Sequence, residues 1–492
     1  MSRLKLLVLS LLMVGAFSAR AQAAEITARG YWWIEGVSRT NWNFNEGQDN
    51  HFSIEEKLRT AFYFTANENL RGVLDTQIGT NNWGNGLYQI SAGRTPNSTQ
   101  GGANGAGNGN IMLRQGYIEY KWPNTQVNIK TGFQILTLPA AFGGGSPILD
   151  DQVGALVVST PLTDMVSLTA GYARPSDSNN FGSTSAINGS GTSADLAFAA
   201  VPVKTKTMTI TPFGMFLYAG GRAAGANNNL SATPLLGLTG PNAAAGQGVR
   251  GYWGGLAFSM TPEELPIKVM ADFDYGKATY TNYFNNTKDG GRSGWLADIA
   301  VDYTGFSSVT PEAFFVYSSG ETGRNTDHSG RMPVVGVPQN WSPGVGSMFF
   351  GERYELAGSL NYSAGYTLFT LGYWTGGITL KNFSFFDKLS HDFTLLYARG
   401  TNDPEYLRNS VNIRGVNYAG FLTTKDSLWE ADLYNRYKIY DELTAYLYLG
   451  YIKSNFDINT WGASAVTNAA AIRTSKSSGD AAKIGVGLNY FF

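Results

Sequence analysis

The chain has 492 residues, of which 43 % are apolar, 13 % aromatic and only 15 % charged; 60 are glycine and none is cysteine. Its 36 basic and 37 acidic residues give a formal charge of −1, without the basic excess of a nucleic-acid binder, and the missing cysteines exclude a disulfide-stapled secreted scaffold. Low charge, many aromatics and no internal apolar run long enough for a spanning helix together match a membrane β-barrel.

The first residues carry Arg3 and Lys5, then an apolar run from Leu6 to Phe17, then Ala21-Gln22-Ala23. These are the three regions of a secretory signal peptide. Cleavage is expected after Ala23, leaving one domain over residues 24–492. Loss of Arg3, Lys5 and Arg20 takes the formal charge from −1 to −4.

From Glu25 onward, segments of alternating polarity are separated by glycine- and asparagine-rich stretches. The first runs from Glu25 to Val37 and holds Tyr31-Trp32-Trp33. Between Phe52 and Thr65, Ile54, Leu58, Phe62 and Phe64 share one face of a strand, and Glu55, Lys57 and Arg59 share the other. Further strands are expected from Arg71 to Thr80, Ile111 to Trp122, Val127 to Thr137, Val153 to Thr160 and Met165 to Arg174. Next come Ala194 to Val201, Lys206 to Ala219, Arg250 to Met260, Ile267 to Tyr280, Trp295 to Tyr303 and Pro311 to Ser319. Glu352 to Tyr362 is an optional extra strand. The series ends with Tyr366 to Leu380, His391 to Arg399, Leu428 to Ile439, Leu443 to Ser454 and Lys483 to Phe492.

Long connections such as Asn81 to Asn110 alternate with tight turns such as Asn67-Glu68-Asn69 and Pro123-Asn124-Thr125. An up-and-down meander produces that asymmetry. The expected fold is therefore all-β: a transmembrane antiparallel up-and-down β-barrel of about 18 strands, with about 16 as the alternative.

A barrel of this width keeps water inside, so its inward positions should be polar. In the first half the expected pore lining is Glu55, Lys57, Arg59, Arg71, Asp75, Glu119, Lys121 and Lys130. In the second half it is Asp272, Asp274, Asp298, Asp302, Glu430, Asp432 and Arg436, with Lys268 and Lys438 beside them. The first group has five bases and three acids, the second three bases and six acids. Opposed signs would set up a field across the pore that orients dipolar solutes; the alternative is that these charges only solvate the wall.

The connection from Leu138 to Asp151 resembles the inward-folded constriction loop of general porins, with Pro139 and Phe142-Gly143-Gly144 in place of a Pro-x-Phe-Gly-Gly run and one extra residue between Pro and Phe. On that resemblance Phe142, Ile148 and Leu149 would pin the loop to the wall, and Asp150 and Asp151 would line the constriction. An ordinary external loop or a subunit contact is the other reading. The closing strand, with Ile484, Val486, Leu488, Tyr490 and Phe492 on one face, resembles the sorting signal of bacterial outer-membrane proteins. Together with Tyr31-Trp32-Trp33 and the stretch from Gly132-Phe133-Gln134 to Leu149-Asp150-Asp151, it makes the chain similar to the homotrimeric general porins of sulfate-reducing and related bacteria. That resemblance implies a bacterial outer membrane, lipid and lipopolysaccharide as surroundings, a homotrimer, and passage of small hydrophilic solutes. Small outward residues from Val153 to Thr160 are candidates for the subunit contact.

His51, His328 and His391 lie far apart, without a nucleophile, phosphate-loop or zinc motif, so no chemical step and no cofactor are expected. Asp403, Asp457 and Asp480 are candidates for structural Ca²⁺ in external loops, although their spacing fits no defined site. The expected function is a porin channel for passive diffusion. The alternatives are a substrate-selective channel for an anion or acidic polysaccharide, and an adhesin anchored by a barrel whose lumen is blocked.

Overall fold

A strand exposed to lipid on one side and water on the other must alternate, and it must give every backbone N–H and C=O to a neighbour. Both demands are met in the computed structural model, which describes residues 24–41, 44, 50–84, 111–177, 193–220, 247–282, 290–322, 328–335, 341–351, 372–405, 422–457, 460 and 479–492. The expected signal segment and the optional strand at 352–362 lie outside the described residues.

Eighteen long strands are present among them. The first nine are β1 (Glu25–Thr40), β2 (His51–Asn67), β3 (Leu70–Asn82), β4 (Met112–Lys121), β5 (Asn128–Thr137), β6 (Asp150–Pro161), β7 (Ser167–Asp177), β8 (Ser193–Ala200) and β9 (Met208–Ala219). The second nine are β10 (Gln247–Met260), β11 (Ile267–Asn282), β12 (Gly290–Tyr303), β13 (Thr310–Ser318), β14 (Tyr373–Phe386), β15 (Leu389–Gly400), β16 (Ser427–Lys438), β17 (Leu443–Asn455) and β18 (Ala481–Phe491). Two-residue pieces at Val203–Lys204 and His328–Ser329 join the sheet locally.

Each long strand pairs antiparallel with the next. The sheet closes where β1 meets β18, from Tyr31 opposite Phe491 to Thr40 opposite Ala482. Closure leaves no free edge, the condition for a sheet in a bilayer. The outward faces are apolar: Ile484, Val486, Leu488 and Tyr490 on β18, and Phe273 and Tyr275 on β11, are all exposed. Ringed tyrosines and tryptophans such as Trp295 and Tyr317, stacked 4.8 Å apart, add an aromatic belt. The barrel is thus a membrane-spanning one, of the strand number expected from the sequence.

The outward face of β2 breaks the alternation once. Glu56 shares its side of the wall with Leu58, yet it is buried, because Trp32 Nε1 and Trp83 Nε1 each donate a hydrogen bond to it at 2.7 Å. Trp83 also caps Ile54, its backbone N–H donating to the Ile54 carbonyl at 2.8 Å.

Candidate functional site

Inside the barrel, an arc of the wall is covered by two connections that turn inward. The first is 138–149. Leu138, Phe142, Ile148 and Leu149 are buried apolar residues in a chain that would otherwise sit in water, and their burial holds the segment against the wall. Its backbone is tied down by one side chain: Ala141 N–H and Phe142 N–H both donate to the Asp272 carboxylate on β11, at 2.8 and 2.8 Å for the closest oxygens. Phe142 lies 5.8 Å from Phe314 of β13, ring centre to ring centre.

The second, 341–351, lies in the β13–β14 connection and leans on the first. Ser342 N–H donates to the Gly143 carbonyl, and Val335 N–H from the same connection donates to that of Ile148, each at 2.8 Å. Gly143 has a positive φ of 81°, and a Cβ there would fall 2.5 Å from Trp341 Nε1, so only glycine lets the two inserts meet. The single helical turn Met348–Gly351 buries Met348, Phe349 and Phe350. Glu430 of β16 accepts from Ser347 Oγ at 3.1 Å and Phe349 N–H at 3.0 Å, while Tyr448 of β17 donates to the Gly346 carbonyl at 3.0 Å.

These inserts decide what the predicted pore residues do. Asp272, Asp274, Asp298, Asp302, Glu430 and Asp432 face inward, as alternation demands, but all six are buried. Asp272 and Glu430 serve as anchors for backbone. Asp298 accepts from Asp272 N–H at 3.0 Å, and the single Tyr448 O–H is shared between the Gly346 carbonyl and Asp432, which lies 2.5 Å away. Lys381 of β14 bridges Asp302 at 2.9 Å and Glu312 at 2.5 Å. The acidic second half expected on the channel surface is therefore buried, Asp272 and Glu430 beneath the inserts and Asp302 beside Lys381. Asp150 also departs from expectation: it is buried at the start of β6, where Thr137 Oγ1 donates to it at 2.7 Å. Asp151 is half-buried and accepts from Gln152 N–H at 2.7 Å. Pro139, also half-buried, precedes the anchored turn.

Across the lumen, on β1–β5, several inward cations stay partly exposed and lie over aromatic rings. Lys57 stands 5.0 Å from the centre of Trp33, Arg59 5.6 Å from Tyr31, and Lys130 4.1 Å from Tyr117. Arg71 lies 6.0 Å from Tyr63 and pairs with Glu119 at 2.7 Å. Arg436 of β16, half-buried, lies 5.4 Å from Tyr434 and pairs with Asp392 at 2.7 Å. Lys121 is exposed at the end of β4 beside the turn to β5. Two of the expected acids on this arc are buried and neutralised: Glu55 by Arg39 at 2.6 Å and Asp75 by Arg114 at 2.9 Å.

Arg114, Lys381, Glu312 and the second insert were not anticipated from the sequence. The tyrosines and Trp33 beneath the cations were legible in principle, since Tyr31 and Trp33 share the parity of Glu35, which faces the lumen. The loop acids weighed for Ca²⁺ are engaged elsewhere. Asp480 takes Lys453 at 2.7 Å, Asp457 takes Thr460 Oγ1 at 2.6 Å, and Asp403 takes Glu405 N–H at 2.8 Å. Among the described residues no group of three acids or histidines is placed to hold a metal ion.

No protein-family model matches the sequence, and no curated protein matches it. Solved structures similar to the fold include OpdL of Pseudomonas aeruginosa, at 11 % identity over 95 % of this chain and 99 % of that one, with a TM-score of 0.50. Acinetobacter baumannii OccAB4 is 10 % identical over 96 % and 99 % of the two chains, TM-score 0.49. The outer membrane protein OprD from Pseudomonas aeruginosa is 13 % identical over 96 % of each chain, TM-score 0.48. At such identities the likeness is one of fold.

Proposed function

We propose that the protein is an outer-membrane channel through which small hydrophilic solutes diffuse passively, and that it favours anions. One observation carries the reading: the solvated part of the inner wall, β1–β5, presents Lys57, Arg59, Arg71 and Lys130 against Glu119, while the acids of β11, β12 and β16 are buried. A solvated cation resting on an aromatic face keeps its charge in the pore water, and an excess of one sign on the wall raises the local concentration of counter-ions. The transverse field weighed from the sequence loses its acidic side under this reading. The inserts narrow the lumen from one side, which limits solutes to small ones. Neither a cofactor nor a chemical step is part of the proposal, and a homotrimer embedded in lipid and lipopolysaccharide is its expected setting.

Planar-bilayer recordings of the purified protein test it. Ohmic single-channel conductance with a reversal potential displaced toward that of chloride in a KCl gradient is the expected result. Absence of conductance would instead fit a barrel that merely anchors an adhesin, and cation preference would remove the anion reading.

A further inference from the structure

Five residues in the eighteen strands are cationic and face outward: Arg174 on β7, Arg250 on β10, Lys277 on β11, Arg399 on β15 and Lys453 on β17. All five are exposed. Each lies at the end of its strand on the side of the barrel that carries the long connections, and no strand cation faces outward at the short-turn end. Each also stands two positions beyond an outward tyrosine, namely Tyr172, Tyr252, Tyr275, Tyr397 and Tyr451. Since side chains repeat every two residues on one face, every such step sets a phenol at the rim of the apolar band and a cation just past it. A tyrosine girdle suffices for any barrel at a headgroup boundary. The cations need a separate reason.

Three of them are already engaged. Arg174 pairs with Asp195 at 2.9 Å and Asp177 at 3.1 Å, Lys453 with Asp480 at 2.7 Å, and Arg399 donates to the Thr424 carbonyl at 2.6 Å. Arg250 and Lys277 have no hydrogen-bond or ion-pair partner among the described residues. They are also neighbours. Arg250 lies opposite Thr279 and Tyr252 opposite Lys277, so the two cations are diagonal partners on one outer face, about 7–8 Å apart at the backbone. Like charges set side by side on a sheet repel, and among the described residues no acid stands between them. An anion received from outside relieves that repulsion. A phosphate fits the spacing and the chemistry, because the guanidinium fork binds its oxygens in pairs and the lysine adds a point charge.

We propose that Arg250 and Lys277, above Tyr252 and Tyr275, form a binding site for a phosphate on the headgroup of an outer-leaflet glycolipid. The inference rests on the reading that the barrel spans the outer membrane with its long connections outside. The phenols hold the boundary between acyl chains and sugar, and the two cations meet the phosphate one step higher.

The test uses the full barrel in non-ionic detergent, titrated by native mass spectrometry with diphosphorylated lipid A and, separately, with its fully dephosphorylated form. The Arg250→Gln/Lys277→Gln variant should bind the diphosphorylated lipid roughly 30-fold more weakly, from about fivefold per cation near an anionic lipid surface. Dephosphorylated lipid should bind both proteins equally and weakly. Arg399→Gln, whose head is already bonded to backbone, should keep most of the wild-type affinity. Equal binding of diphosphorylated lipid by wild type and double variant overturns the site. So does tight binding of the dephosphorylated lipid by the wild type, or a change in oligomer mass without a change in lipid retention. Heat-modified electrophoretic mobility verifies that the variant is folded. Bilayer conductance of the same proteins reads the channel separately: a silent wild type that still retains the phosphorylated lipid rejects the pore and leaves this site standing.

Discussion

Replacing Asp272 by alanine should free the first insert while leaving the barrel closed. Its carboxylate is the acceptor for two backbone donors, Ala141 N–H and Phe142 N–H, and the site is buried. Leaving a buried N–H without a partner costs about 1–3 kcal/mol, so the pair is worth about 2–6 kcal/mol to the docked position. The wall keeps its ladder, because the pairing of β11 with β10 and β12 runs through the backbone, and the Asp272 N–H that donates to Asp298 is retained in the variant. Each 1.4 kcal/mol is tenfold in an opening equilibrium, so amide exchange at Ala141 and Phe142 should accelerate about 30-fold or more, while amides in β10–β12 keep their protection. Asp272→Asn, which retains one carbonyl oxygen, should fall between. Single-channel recordings should show added noise from the loosened insert. Unchanged exchange at both amides in Asp272→Ala would refute the anchor and, with it, the account of how the lumen is narrowed.

Three further outcomes follow from the same geometry. Joint neutralisation by Lys57→Gln, Arg59→Gln and Lys130→Gln should move the reversal potential in a salt gradient toward cations, and an unmoved potential would deny the basic arc any part in selection. Lys381→Met should leave Asp302 and Glu312 facing each other without their shared cation, at a cost of about 3–5 kcal/mol measured by denaturant titration in lipid; a smaller loss would mean that water enters there. Leu488→Arg puts a charge on the lipid face of β18 and should cost about 2–4 kcal/mol if it sits near the midplane, whereas Lys57→Gln on the lumen side should cost far less in the same titration.

The strands were legible because lipid and water impose the alternation residue by residue. Glu55, Lys57 and Arg59 against Leu58, Phe62 and Phe64 is a local statement, and the register of β1 with β2 agrees with it. Where the pattern slips, the reading slipped too. β14 was expected to stop at Leu380 but runs to Phe386, because a bulge between Leu380 and Phe383, with Asn382 at a φ of 54°, shifts the parity of the remaining residues. Parity tells which side of the wall a residue takes, and it is silent on what lies over it. Asp272 and Lys57 look alike in sequence. One is covered by a segment some 130 positions away in the chain, and the other stays wet, a distinction that depends on contacts no local pattern encodes.

Glu56 has a consequence for how the protein sits in its membrane. It lies eleven residues from the end of β2 at Asn67, about 28 Å along the membrane normal at the usual strand rise and tilt, against an apolar band of about 25 Å. A carboxylate with two indole donors cannot sink from that level without taking its charge into hydrocarbon, nor rise without drawing Trp32 and Trp83 away from the interface they favour. On the flank formed by β1–β3, which carries no outward cation, a lone acid therefore works as a waterline, fixing the height at which the barrel floats.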